Sequence, residues 1–329
     1  MKVEAHSNIA LIKYWGKNPD YEKYHVPTKS SLSLTAEALR TTTELETTPG
    51  VGKVELNLNG RDIPPDAKEF KKIKAFFDKL FEFWPEMRNY NYHIVSSNNF
   101  PTAAGFASSA SGFAALAKAL AQAFPDMEWA RDKKKLSVIA RLGSGSAARS
   151  IPGGVVLWHR GIAPDESAEP PVWESYAETI FPADHWPELR IIYVILNAGE
   201  KKISSRSGMK QTVQTSALYR RWIEHEESIL LKKVMEAIEQ RDLGSLVEVV
   251  MRASNGLHAV MLDTYPPIRY MTDESWRIVD RIHEFNDDGP KAAYTFDAGP
   301  NPAIITTEEH VSAIKELVKP HDVLVSKVI

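Results

Sequence analysis

Asn98-Asn99-Phe100-Pro101-Thr102-Ala103-Ala104-Gly105-Phe106-Ala107-Ser108-Ser109-Ala110-Ser111-Gly112 is the stretch around which the rest of the chain can be read. Between Pro101 and Gly112 every residue except Thr102 and Phe106 is Pro, Gly, Ala or Ser. A short strand candidate, Tyr92–Val95, precedes it. Phe113, Leu116, Ala117, Leu120 and Phe124 follow at helical spacing. The start of such a helix offers unpaired N–H groups and the positive end of the peptide dipoles. Small residues let the backbone approach phosphate oxygens, and the hydroxyls of Ser108, Ser109 and Ser111 add donors. No Gly-Lys-Ser/Thr follows, so this is not a Walker loop. Taken alone, the run serves tight helix packing as well as it serves a phosphate.

A second run, Gly143-Ser144-Gly145-Ser146-Ala147-Ala148-Arg149, again combines glycines, hydroxyls and a cation. The planar fork of Arg149 suits a carboxylate or a phosphate. Upstream, Ser31–Thr35, Thr41–Thr48 and Val54–Leu58 read as strands, the last ending at the turn pair Asn59-Gly60. Phe70, Ile73, Phe76, Phe77 and Leu80 predict a helix over 68–83, and a second helix is expected over 133–142. Strands are expected at Gly153–Trp158 and Ile191–Leu196. Helices are expected around Lys210–Glu224, Ser228–Gln240 and Gly244–Asn255. Strands at Ala292–Phe296, Ala303–Thr306 and Val323–Val328, with a helix at Val311–Leu317, close the chain. The polar break at Asp184–Glu188 places a domain boundary near 185, giving domains 1–185 and 186–329 of an α+β protein.

Composition narrows the function classes. The 329 residues carry a formal net charge of −3, with 43% hydrophobic and 25% charged residues. That is ordinary for a globular protein and lacks the basic surplus of a nucleic-acid or anionic-membrane binder. With no cysteine, thiolate–metal sites, disulfides and a cysteine nucleophile are excluded. The ten histidines form no metal-ligand spacing, so no protein-held metal is expected, and His258 sits on a helix pattern as a structural residue. Trp15, Trp158, Trp173 and Trp222 read as core or cleft lining. No signal peptide or membrane span is evident, and a cytoplasmic location is expected.

Five stretches together resemble a known family. They are Asn8-Ile9-Ala10-Leu11-Ile12-Lys13-Tyr14-Trp15-Gly16-Lys17, Asn98–Gly112, Gly143–Arg149, Lys201-Lys202-Ile203-Ser204-Ser205-Arg206-Ser207-Gly208-Met209, and Tyr294-Thr295-Phe296-Asp297-Ala298-Gly299-Pro300-Asn301. The combination resembles the GHMP kinase superfamily and, within it, the diphosphomevalonate decarboxylases. The resemblance implies a two-domain α+β GHMP-kinase-like fold with the active site between the domains, and a homodimer. It implies ATP-dependent decarboxylation of 5-diphosphomevalonate to isopentenyl diphosphate with release of ADP, phosphate and CO2, using ATP and Mg2+.

Carried over onto matching positions, the resemblance makes Asp297 the group that orients or deprotonates the 3-hydroxyl. Lys13 becomes its cationic neighbour, and Arg149 the clamp on the substrate carboxylate. It implies that Asn8, Tyr14, Lys17, Ser144, Ser146, Ser205 and Arg206 bind substrate. Ala103, Ala104, Gly105, Ala107, Ser108, Ser109 and Ser111 would contact ATP. Two places depart from the family pattern. Lys29 stands where Asn is usual, and Phe70-Lys71-Lys72 stands about where an Arg often reaches the terminal phosphate. Both bear on phosphate number. A phosphomevalonate decarboxylase, an ATP-independent mevalonate 3,5-bisphosphate decarboxylase and a small-molecule kinase therefore stay open, as does a non-catalytic phosphate-ligand binding protein. The intact serine loop favours ATP use; Lys13, Arg149 and Asp297 together favour catalysis.

Overall fold

Residues 2–100, 108–161, 172–196 and 203–329 are described by the computed structural model. The chain begins with β1 (Lys2–Ile12), which pairs antiparallel with β2 (Ser31–Pro49), with Asn8 opposite Thr35 and Ile12 opposite Leu32. β2 is one strand of 19 residues, not the two short strands expected. Residues 36–40 between them stay extended because outside groups hold them. Arg40 N–H donates to Asn99 Oδ1 at 2.9 Å, and Ala38 N–H to Ser326 Oγ at 3.1 Å.

β3 (Val54–Leu58) and β4 (Arg61–Asp62) form the expected hairpin, with Asn59 at φ 51° and Gly60 at φ 79° in the turn. Helix α1 (Lys68–Phe83) matches its phenylalanine spacing and crosses over to β5 (Tyr90–Asn98), which lies parallel to β3. Helices α2 (Ser108–Ala123) and α3 (Lys133–Gly143) follow, then β6 (Val155–Trp158) and β7 (Ala177–Phe181). The first sheet runs β4-β3-β5-β2-β6-β7, with β1 also on β2. Its helix-covered face buries Phe76, Phe77, Leu80, Tyr92, Ile94, Phe113, Leu120 and Ile139.

The second sheet holds β8 (Leu189–Ile195), β9 (Ala292–Phe296), β10 (Pro302–Thr307) and β11 (Asp322–Lys327), all antiparallel in the order β11-β8-β10-β9. Between β8 and β9 lie α4 (Ser205–Thr215), α5 (Tyr219–His225), a π-helical turn (Glu226–Leu230), α6 (Leu231–Glu239), α7 (Leu243–Asp263) and α8 (Asp273–Phe285); α9 (Val311–Leu317) follows β10. Three differences from expectation have local causes. α4 starts at 205, five residues early, because Ser204 caps it by accepting from Ser207 N–H at 3.1 Å. The helical run then breaks at 216–218, where Ser216 Oγ and Leu218 N–H both donate to Asp263 Oδ2 at 2.7 and 2.9 Å. α8 was not expected, although Thr272 and Ser275 form its capping box and Ile278, Val279 and Ile282 its buried stripe.

The other face of the first sheet packs on the second unit. Ile9, Leu11, Leu32 and Leu34 share a core with Ile191, Tyr193, Val234, Ile238, Leu246, Val250 and Ile305. Each such aliphatic contributes about 1.5–3 kcal/mol on burial. The C-terminus returns to the first sheet, with Val328 bridging Ala36 and Ile329 N–H donating to Thr35 O at 3.1 Å. This packing brings the end of β1, the start of β2 and the end of β9 to one place.

Candidate active site

Lys13 leaves the end of β1 fully buried, with its Nζ 2.8 Å from Asp297 Oδ1 just past β9. The two residues are 284 positions apart. The Asp297 side chain keeps 41% of its exposure, so one side of the carboxylate faces open space. Its loop is pinned on three sides. Gly299 N–H donates to Asp297 O at 2.7 Å, Leu196 N–H to Asn301 Oδ1 at 2.8 Å, and Ser275 Oγ to Pro300 O at 2.8 Å. Burial lowers the pKa of Lys13; Asp297 opposes that shift, Arg149 adds to it, and Glu226 opposes it.

Arg149 sits in a 3-10 turn (Gly145–Ser150) after α3 and is also buried. Its Nε donates to Asn8 Oδ1 at 3.0 Å and its Nη1 to Ser31 Oγ at 2.7 Å, while the guanidinium lies 5.9 Å from the Trp158 ring centre. Asn8 in turn donates to Ser146 O at 3.1 Å and to Ser150 Oγ at 2.8 Å. Asn8, expected to touch substrate, also holds Arg149 in place. Burial lowers the Arg149 pKa to about 10, with Asp297 opposing, so it remains a cation at neutral pH. Among the described residues its hydrogen-bond partners are neutral. A desolvated guanidinium so placed gains from an incoming carboxylate.

Tyr14 packs its ring against Trp158, centroids 4.7 Å apart, and its buried hydroxyl has no hydrogen-bond partner among the described residues. Burial raises its pKa, so the phenol remains a donor. Gly145 makes room for it, since a Cβ there would come within 2.6 Å of Tyr14 Oη. The preceding motif is held just as tightly. Gly16 has φ 105°, and a Cβ on it would fall 1.7 Å from Tyr219 Oη. That hydroxyl donates to Trp15 O at 2.8 Å and meets Thr28 Oγ1 at 2.6 Å.

Lys17 and Arg206 line a small cleft of about 90 Å³ with Glu22, Met209 and Lys210. Lys13, Arg149 and Asp297 do not line it; Lys17 marks its side of the motif. Partial burial and then Arg206 lower the Lys17 pKa to about 8. Lys79 donates to Leu142 O at 2.6 Å, and burial followed by Arg206 and Lys17 lowers it to about 7. Lys72 also lies within electrostatic range of Arg206, whereas Phe70 is part of the core. Ser205 opens α4 beside Arg206. The cations here repel one another, with Glu22 opposing that effect at Lys17.

At the start of α2, the exposed Ser109 brings its Oγ to 3.3 Å from Ser144 Oγ, joining the two small-residue runs. Ser146 is half-buried in the same turn. Ser111 is buried, its Oγ accepting from Thr41 Oγ1 at 2.7 Å. Ala103, Ala104, Gly105 and Ala107 lie outside the described residues, as does the Ser108 side chain.

Sequence reasoning missed Ser31 and Ser150, which hold Arg149 and Asn8, and the partner of Lys29. The buried Nζ of Lys29 pairs with Glu226 Oε2 at 3.1 Å. Trp15, Trp158 and Trp222 are buried, as expected, and His258 is buried edge-on to Phe296 with ring centroids 5.9 Å apart. Burial, with Lys13 adding to it, lowers the His258 pKa to about 4. Among the described residues no group of three or more His, Asp and Glu could hold a metal ion, and no helix is long and apolar enough to cross a membrane.

Comparison with known proteins bears on this geometry. Residues 5–169 match the family model described as the diphosphomevalonate decarboxylase-like N-terminal domain, and residues 191–325 match the mevalonate 5-diphosphate decarboxylase C-terminal domain. The chain is 42% identical to the diphosphomevalonate decarboxylase of Ganoderma lucidum, over 96% of this chain and 80% of that protein. Among solved structures it is similar to mevalonate diphosphate decarboxylase from Staphylococcus aureus, with a TM-score of 0.89 and 35% identity, covering 100% of this chain and 95% of that one. A structure described as MDDEF in complex with MVAPP, AMPPCP and magnesium matches with a TM-score of 0.87 and 36% identity, covering 99% and 95%.

Proposed function

The chain belongs to the diphosphomevalonate decarboxylase family, and we propose from that premise that it converts 5-diphosphomevalonate and ATP to isopentenyl diphosphate, ADP, phosphate and CO2. The observation that carries this reading is the Lys13–Asp297 pair: a carboxylate held by a buried ammonium, half open, with the buried Arg149 nearby, whose hydrogen-bond partners among the described residues are neutral. Asp297 orients the 3-hydroxyl of the substrate and takes its proton. Lys13 favours the ionised carboxylate and balances the charge arriving on the 3-oxygen. Arg149, set by Asn8 and Ser31, grips the substrate carboxylate through its fork and fixes the C–C bond that breaks. When the phosphorylated 3-oxygen departs as phosphate, the electron pair of that C–C bond closes the alkene and the carboxylate leaves as CO2. Once that proton has passed to solvent through its open side, the Asp297 carboxylate faces the developing positive charge at carbon 3 and stabilises it.

The residues present fit ATP and magnesium. Ser109 and Ser144 converge at the N-terminus of the 16-residue helix α2, where hydroxyls and N–H groups suit a phosphate chain. The ion would be held by nucleotide phosphates and neighbouring hydroxyls. When bound, the nucleotide supplies the phosphoryl group that makes the 3-oxygen a leaving group. The substrate's own phosphates fit the cations Lys17 and Arg206, with Ser205 at the start of α4 and Lys72 and Lys79 within range. That surplus of positive charge favours a diphosphate over a monophosphate. Tyr14, whose hydroxyl has no hydrogen-bond partner among the described residues, donates to the same substrate.

A domain boundary near 185 is supported by the gap between the last strand of the first sheet, ending at Phe181, and the first strand of the second, starting at Leu189. A homodimer is part of the reading; the exposed Leu218, Leu262 and Tyr265, joined through Asp263 and Thr215, supply an apolar contact face. The absence of cysteine suits a cytoplasmic enzyme. The test is CO2 release from 5-diphospho-, 5-phospho- and 3,5-bisphosphomevalonate, each with and without ATP. We expect release from the diphosphate only, and only with ATP. Release from the 3,5-bisphosphate without ATP, or from the monophosphate alone, overturns the assignment.

A further inference from the structure

Helix α7 carries Ser254, Asn255 and Gly256 in succession inside its 21 residues. All three are poor helix formers, and a buried helix interior is better served by Ala or Leu. Such a run points to a demand from outside the helix. Each of the three has a contact that meets one. Ser254 is fully buried, and its Oγ accepts from Phe296 N–H at 2.9 Å. Asn255 Nδ2 donates to Tyr294 Oη at 3.1 Å. Gly256 lies against Trp222, where a Cβ would come within 3.1 Å of the indole. One turn beyond Ser254, on the same face of the helix, His258 packs edge-on to the Phe296 ring. β9 is the outer strand of the second sheet, in the order β11-β8-β10-β9. A buried main-chain N–H needs an acceptor, and on this strand Phe296 finds one in a side chain of α7.

We infer that Ser254 is a positioning residue for the decarboxylation: by holding the main chain of Phe296 it fixes where the next residue, Asp297, presents its carboxylate. The inference rests on the decarboxylase reading above. The contacts of Gly299, Pro300 and Asn301 pin the chain at and beyond Asp297, and the Ser254 contact pins the strand immediately before it. The aspartate side chain is short, so a shift of the main chain at Phe296 is carried directly to the carboxylate that sits 2.8 Å from Lys13 Nζ. The groups assigned to grip the substrate, Arg149, Lys17 and Arg206, lie on other elements. Displacing Asp297 therefore lowers turnover more than binding. Asn255 makes an informative comparison. It joins the same helix to the same strand, but through the Tyr294 side chain and two residues earlier. It supports the packing of α7 on β9 without holding the main chain next to Asp297.

The test compares wild type with Ser254→Ala, Ser254→Thr and Asn255→Ala. It measures kcat, KM for 5-diphosphomevalonate, the melting temperature, and the Lys13 side-chain ammonium resonance in ligand-free, lysine-labelled protein. That resonance reports the contact of Lys13 with Asp297. Ser254→Ala and Asn255→Ala are both expected to melt a few degrees lower, since each removes one buried hydrogen bond. We expect Ser254→Ala to lower kcat about tenfold or more with KM changed less than about threefold, and to move the Lys13 resonance. Asn255→Ala should keep kcat within about threefold of wild type and leave that resonance in place. Ser254→Thr, which keeps an acceptor hydroxyl, should restore both readouts. Should Ser254→Ala not fold, Ser254→Cys, whose thiol is a weaker acceptor, takes its place with the same readouts. A kcat no lower than that of Asn255→Ala, or an unmoved Lys13 resonance, overturns the inference and leaves Ser254 a packing residue. If the wild type releases no CO2, the decarboxylase reading fails, while the Lys13 resonance still decides whether Ser254 sets Asp297.

Discussion

Asp297→Asn keeps the shape of the side chain and removes the charge that faces Lys13. Because the Asp297 side chain is 41% exposed, the fold should survive. We expect kcat to fall at least about 10²-fold with the melting temperature changed by a few degrees, checked by steady-state kinetics beside a thermal melt. Near-normal kcat would falsify the assignment. Arg149→Lys keeps a positive charge but cannot satisfy Asn8 Oδ1, Ser31 Oγ and an incoming carboxylate together. Decarboxylation should drop about 10²-fold or more, and unchanged kcat and KM would leave Arg149 without a role. Lys17 adds a pH dependence. Its folded pKa of about 8 lies below the ordinary 10.5, so its ammonium is present below pH 8 and lost above it. The KM for the phosphorylated substrate should therefore rise as pH climbs through 8, and Lys17→Met should flatten that rise. The linked effect on stability has the opposite sense. Between about 8 and 10.5 the unfolded chain binds more protons at this lysine than the folded chain does, so ligand-free stability rises with pH there; for Lys79 the window opens at about 7. Urea midpoints at pH 7 and 9.5 test the direction. Asp297, Arg149 and Lys17 are identified by motif resemblance; Lys79 is not. Their contacts are not readable in the sequence: Asn8 lies 141 positions from Arg149 and accepts from its Nε.

Elements formed where local pattern and tertiary demand agree. α1 matches its phenylalanine spacing residue for residue, and β9 and α9 match their expected bounds, because their apolar period and their flanking turns coincide. β7 was missed because its residues are mostly half-buried and carry no clean alternation. α7 continues to Asp263 since Leu257, Val260 and Met261 extend its stripe over a second core. The Lys13–Lys17 segment supplies the test at this scale. Gly16→Ala forces a Cβ into φ 105° and to 2.7 Å from Tyr219 Cζ, closer still to the hydroxyl. Strain and the displaced tyrosine together should cost about 2–4 kcal/mol, read as a lowered urea midpoint. Tyr219→Phe should not rescue the variant, because the ring carbon still clashes; full rescue would show that the left-handed backbone carries no strain.

At the scale of the whole molecule, the core shared between the first sheet and the second unit couples the two halves. Leu11, Leu32 and Leu34 pack with Ile191, Val234 and Leu246, and the C-terminal residues pair back onto Thr35 and Ala36. Neither half keeps its apolar face covered if the other unfolds. We expect one cooperative unfolding transition, with tryptophan fluorescence and far-UV circular dichroism coinciding. Two separated transitions would mean that the shared core does not hold the halves together.

The sequence by itself determined the α+β class, most of the helices and strands, and the family, because amphipathic period and short motifs are local properties. The tertiary structure alone decided which of the motif residues meet one another and what each packs against. It buried Arg149 against Asn8 and Ser31, brought Ser111 to Thr41, and set Lys29 against Glu226, 197 positions away. The physical reason is that desolvation and ion pairing depend on what packs across the fold, and a local pattern carries no record of that.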